Sequence, residues 1–181
     1  MGGNIFPQQA KGTSMDDQDL SKTVGFSGYN HALQMISKLP SLIHSGEIRG
    51  HLVIACLEAW YINIRLVSEF FGIGSADKGY DYKAIHFAEF NMSDEDKADL
   101  TKVWNISSKL VAHLSFERNP EKSDLEPDYS YEEMIRLVKI VIRVSESFER
   151  NLESVDSALV SMVHVANTNA NTQLNWLKAH Q

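Results

Sequence analysis

The stretch HLVIACLEAWYINIRLVSEFF, His51 to Phe71, decides how the rest of the chain has to fold. It holds twenty-one residues without Pro or Gly and is followed by Gly72 and Gly74. It is apolar on nearly every side, and a helix of that kind is normally the central, buried one of its domain. At 1.5 Å per residue it runs roughly 30 Å, the width of a small domain. That length also matches a bilayer, but His51, Glu58, Arg65 and Glu69 interrupt the run. A charge at the centre of a membrane helix costs on the order of 3 kcal/mol. We therefore read a buried helix of a soluble protein, with no membrane partner.

The interruptions are ordered. His51, Glu58 and Arg65 recur every seven residues, which places them along one stripe of the helix with a small angular drift. Arg65 and Glu69 are i,i+4 neighbours that can pair directly. Buried charges persist when they are paired and hydrogen-bonded, so the expectation is that other helices bring counter-charges to this stripe. The sequence supports a soluble helical domain with a buried polar seam and little chemistry beyond that.

Working outward, 181 residues suit one domain with a sizeable core. The 24 acidic against 17 basic residues give a net charge of -7, which argues against DNA and other general nucleic-acid binding. The single cysteine, Cys56, lies inside the most apolar segment, where a small buried hydrophobe is the plain reading. Met1–Ser14 has no apolar core of a signal peptide, so a reducing cytoplasm is the expected home. Residues 1–22 read as a mobile leader. Met15, followed by Asp-Asp-Gln-Asp, has the look of a native start within it.

Apolar residues at 26, 29, 33, 36 and 39 predict a helix stopped by Pro40, and Ser41 to Gly50 a connector. After the central helix comes a Gly-rich loop, GIGSADKGYD, without a phosphate-binding signature. Tyr82 to Phe90 then reads as a short amphipathic helix or an edge strand. Ser93 with Asp96, and Ser130 with Glu133, are capping boxes that open two helices. The first carries Leu100, Val103, Trp104, Ser107, Leu110, Val111 and Leu114 and ends before Asn119-Pro120; an acidic loop follows to Asp128. The second carries Met134, Leu137, Val138, Val141, Ile142, Ser145, Phe148 and Leu152. Val155 to Ala166 keeps that spacing, as an extension or after a break near Glu153-Ser154. We expect an all-α bundle of four to six helices around the helix at 51–71. The domain spans 23–168, and a polar, Asn-rich tail of weak helix propensity covers 169–181. In that tail Trp176 and Leu177 suggest docking, with a second subunit as one candidate.

Three groupings could carry chemistry. The Glu58/Arg65 stripe is either an ion-pair network that fixes helix register or the lining of a cleft. His113 and Glu117 share a helix face beside the apolar stripe. The plain reading is a satisfied boundary histidine, and the functional one is a general base near neutral pH. Asp81-Tyr82 follows the Gly-rich loop, where Asp81 as a helix N-cap explains itself without a function. Seven histidines show no ligand spacing, and there is no C-x-x-C, H-E-x-x-H, EF-hand loop or G-x-S-x-G. No metal and no cofactor is expected.

The order EAWYINIRLVSEFF, Gly-rich loop, DYKAIHF and KLVAHLSFER, from about Leu52 to Arg118, resembles a group of uncharacterised bacterial all-helical proteins. These are distantly similar to the HEPN superfamily of helical bundles, some of whose members are metal-independent ribonucleases in defence and toxin systems. The resemblance implies a helical bundle and a shared polar cluster of Glu58, Arg65, Asp81, His113 and Arg118. The nuclease members carry an Arg followed by four to six residues and then a His on one helix. Here His113 precedes Arg118 instead, so the resemblance implies the fold more than the activity. The expectation is a non-enzymatic, cytoplasmic interaction or structural module that self-associates as a dimer, with Glu58, Arg65, Asp81 and Tyr82 as binding residues. The alternative is an RNA-cleaving effector in which His113 is the acid/base and Arg118 holds the phosphate. A second alternative is a small-anion pocket at Arg65 and Arg118.

Overall fold

The stripe Phe26, Tyr29, Leu33, Ile36 and Leu39 supplies one apolar group per helical turn, and all five are buried. It belongs to α1, Asp17–His44. A computed structural model describes residues 17–74, 83–108, 130–152 and 157–180, with side chains from 25 onward. After α1 come α2 (His51–Phe70), a 3-10 turn (Ala84–His86), α3 (Asp94–Ile106), α4 (Tyr131–Leu152) and α5 (Ser157–Ala179). The fold is all-α, a five-helix bundle without a strand among the described residues. α1 packs against α2, α4 and α5; α4 packs on α5, and α3 on α2.

Pro40 does not stop α1, contrary to the sequence expectation. A proline inside a helix has no N–H for the carbonyl four residues back, which here is that of Ile36. The Trp60 indole of α2 donates to this carbonyl instead, with Nε1 3.0 Å from the oxygen in a buried setting. The helix therefore continues to His44. Its start, Asp17, lies inside the stretch read as a leader, while residues 1–16 lie outside the described residues.

The helix at 51–71 is present, but it does not occupy the centre; α1 does. α2 buries one face, Trp60, Tyr61, Ile64, Val67 and Phe70. On other sides Leu52, Ile54, Ile62 and Leu66 remain 62%, 53%, 40% and 50% exposed. Composition could not separate a helix wrapped on every side from one whose second face is left apolar and open. Rings of α1, α2, α4 and the segment after the 3-10 turn meet at the C-terminal end of α2. Tyr29 stacks on Phe70 with centroids 4.4 Å apart, and Phe148 meets Phe70 and Phe90 edge-on at 5.4 and 5.6 Å. There Ile73 N–H bonds back to Ser68 O at 2.9 Å, through Gly72 at φ 86.

Both capping hydroxyls act as expected: Ser93 Oγ accepts from Asp96 N–H at 3.1 Å, and Ser130 Oγ from Glu133 N–H at 3.2 Å. Between Lys83 and Phe90 a single 3-10 turn replaces the expected short helix or edge strand, with His86 Nδ1 accepting the Lys83 N–H at 3.1 Å. α5 crosses the boundary at 168 and includes the Asn-rich stretch, because Ala166, Ala170, Leu174 and Leu177 are buried along it. Tertiary burial outweighs the weak intrinsic propensity. Leu177 thus docks within its own chain, whereas Trp176 is half exposed and stacks on His180 at 4.1 Å.

Trp60→Phe is expected to destabilise the fold by roughly 1–3 kcal/mol, because it orphans a buried carbonyl. In a Pro40→Ala background the restored N–H satisfies Ile36, so the same change costs less. Urea unfolding of the four variants measures the coupling; an additive cycle contradicts the assignment.

Candidate functional site

Arg65 Nε donates to Glu69 Oε1 at 2.9 Å, and the two side chains are 26% and 28% exposed. Among the described residues, Trp104 of α3 also reaches this pair, giving its Nε1–H to the same carboxylate oxygen at 3.0 Å. Gly74, at φ 99, leaves room for that indole, since a Cβ there would lie 2.3 Å from Trp104 Cε2. Among the described residues, Arg65 and Glu69 thus form a half-buried local ion pair steadied from α3. Glu58 is half-buried on the same helix. Asp81, Tyr82, His113, Glu117 and Arg118 lie outside the described residues.

A polar seam runs between α1, α4 and α5, buried at Tyr29, Ser145 and Asn167 and opening outward at His164. Tyr29 Oη lies 2.5 Å from Ser145 Oγ, and Ser145 Oγ lies 2.5 Å from Asn167 Oδ1. Asn167 Nδ2 donates to Glu149 Oε2 at 2.6 Å, and His164 Nδ1 lies 2.7 Å from Glu149 Oε1. The directions follow from donor inventory. A carboxylate only accepts, so Asn167 turns its amide nitrogen to Glu149 and its oxygen to Ser145. The single Ser145 proton goes to that oxygen, which leaves Tyr29 as donor to Ser145. Burial foremost pushes the Tyr29 phenol above its ordinary range; the Glu149 charge adds to this, and the bond to Ser145 opposes it. Asn171 Nδ2 extends the seam to Glu146 at 2.8 Å.

Sequence reasoning placed Ser145 on the core stripe of α4 but assigned none of these residues a role. The available signal was polar residues at apolar helical positions: Ser145 among Val141, Ile142 and Phe148, and Asn167 between Val163 and Ala170. Chemically the seam is saturated. Its inner end is enclosed by Phe26, Phe70, Phe71 and Phe148, and its outer end is the exposed imidazole of His164.

Two arginines tie α4 to α3. Arg136 forks onto Glu133 at 2.6 and 2.8 Å and reaches Asp99 at 3.0 Å. Arg143 pairs with Asp96. Hydrogen bonding to Glu133 foremost, then Asp99, raises the Arg136 guanidinium above its usual range, and Asp96 does the same for Arg143. A cleft of about 400 Å³ beside the second pair is lined by Ser93, Asp96, Arg143, Ser147 and Arg150 among others. Asp96 bonds Arg143 there, and Glu95 and Asp99 lie near enough to counter the same charge. No group of three metal-ligating side chains occurs among the described residues.

Among the described residues a further candidate is the outer face of α2, where Leu52, Ala55, Ile62 and Leu66 are exposed in one run along the helix. Clustered exposed apolar groups mark interaction surfaces more often than isolated ones do. α2 is also the one described helix long and apolar enough to cross a membrane, yet its inner face carries Trp60 and Tyr61 into the core.

Asn167→Leu is expected to strand the Ser145 hydroxyl and the Glu149 carboxylate and to lower stability by about 1–3 kcal/mol in urea unfolding. A raised Tyr29 pKa means the folded chain keeps a proton that the unfolded one loses above about pH 10. That stability is fully present below pH 10 and falls as pH rises further. The alkaline decline should be shallower in Tyr29→Phe than in the parent. Comparison of the chain with protein-family models, curated proteins and solved structures gave no significant match.

Proposed function

We propose that this chain is a non-enzymatic interaction module of the bacterial cytoplasm, a helical bundle that works by docking through the outer face of α2. The observation that carries this reading is the exposed run Leu52, Ala55, Ile62 and Leu66, on a helix whose other face is anchored in the core. An exposed apolar face of this length is costly to keep in water, at about 25 cal/mol per Å², and docking offsets that cost. The inner part of the best-defined polar network, Tyr29, Ser145 and Asn167, is hydrogen-bonded within itself and walled by aromatic side chains, which favours a structural role for it. The net charge of -7 and the missing Arg-to-His spacing both weigh against the nuclease alternative.

Total RNA incubated with the purified protein in EDTA is expected to stay intact. Metal-independent cleavage that disappears in His113→Ala would overturn this reading in favour of the ribonuclease.

A further inference from the structure

We infer that the partner on this face is a second copy of the chain, with the two α2 helices packed antiparallel about a two-fold axis between Trp60 and Tyr61. The inference rests on the docking role proposed above and names the occupant. Residues 52, 55, 59, 62, 66 and 69 are spaced alternately three and four apart, the 3.5-residue seam of helices that pair side by side. The first five are Leu, Ala, Ala, Ile and Leu, and Leu52, Ala55, Ile62 and Leu66 of these are exposed.

The order of sizes selects the orientation. In the antiparallel register Ile62 sits on Ala59 of the second copy, and Leu66 on its Ala55. These two levels pair a large side chain with a small one, the outermost sets Leu52 beside the Arg65-paired Glu69, and the symmetry repeats each contact. A parallel pair would set Leu66 on Leu66, Ala55 on Ala55 and Glu69 on Glu69, which leaves voids at one level and like charges at another.

Charge points the same way. Glu58 and Arg65 lie seven residues apart on one flank of the seam. Reversing the second helix brings Glu58 beside Arg65 of the copy and Arg65 beside its Glu58. Arg65 engages Glu69 through Nε, and a guanidinium has further N–H donors on its terminal nitrogens. A lipid surface would instead meet Glu58, Arg65 and Glu69 next to the apolar run, an arrangement with no gain from the seven-residue spacing.

Sedimentation equilibrium of the full chain at micromolar concentration is expected to give twice the 20.4 kDa monomer mass. Ile62→Glu and Leu66→Glu should be monomeric with an unchanged helical circular dichroism spectrum, since both side chains are exposed in the protomer. Glu58→Arg and Arg65→Glu should each weaken association roughly tenfold, and the double swap should recover most of it. A dimer that the double swap fails to rescue overturns the antiparallel register. A monomeric parent chain, or one that floats with phosphatidylglycerol vesicles through Ile62, overturns self-docking. The RNA assay judges the non-enzymatic reading separately, so the two failures are distinguishable.

Discussion

One buried carbonyl governs the arrangement of the first two helices. Pro40 strips the Ile36 oxygen of its helical donor, and an unsatisfied polar group in the core costs about as much as a lost hydrogen bond, on the order of 1–3 kcal/mol. The Trp60 indole reaches that oxygen only if α2 lies alongside α1 with its Trp60 face inward. That contact fixes which side of α2 enters the core, and therefore which side faces out. The proline that would end a helix in isolation thus sets the rotation of its neighbour.

The fold then treats its two polar regions in opposite ways. Between α1, α4 and α5, five side chains form a directional relay in which Tyr29, Ser145 and Asn167 each donate toward Glu149. Such a network specifies one register of three helices, because any shift leaves several groups unpaired at once. On α2 the Arg65–Glu69 pair is half-exposed and local, and pairs of that kind contribute little to stability. In the docking role we propose, their position beside the apolar run would give them a different use, since charge at the rim of an interface sets orientation and partner choice more than affinity. Architecture is thus concentrated in the interior seam, and the recognition we propose would lie on the outer face.

Local signals were read from the sequence alone, since each depends on residues a few positions apart. The hydroxyls of Ser93 and Ser130 open α3 and α4 as their spacing indicates, and period-3.6 burial on α4 includes every apolar position from Met134 to Leu152 named from the sequence. The all-α class and the helix over His51–Phe70 follow from the same kind of information. Of the candidate site, the Arg65–Glu69 pairing was legible in advance, because i,i+4 geometry is intrinsic to a helix.

Three things required the tertiary structure. Whether Pro40 breaks α1 depends on a donor twenty residues away; whether NTNANTQLNW is tail or helix depends on what Ala170 and Leu174 bury against; and whether α2 is central or half-open depends on how many neighbours α1 leaves room for. Periodicity states that a face is apolar, but burial is a property of what else reaches that face. The pairing of Tyr29 with Ser145 across 116 positions is the same lesson: a polar residue on an apolar stripe announces a partner, and only the packed chain supplies its identity.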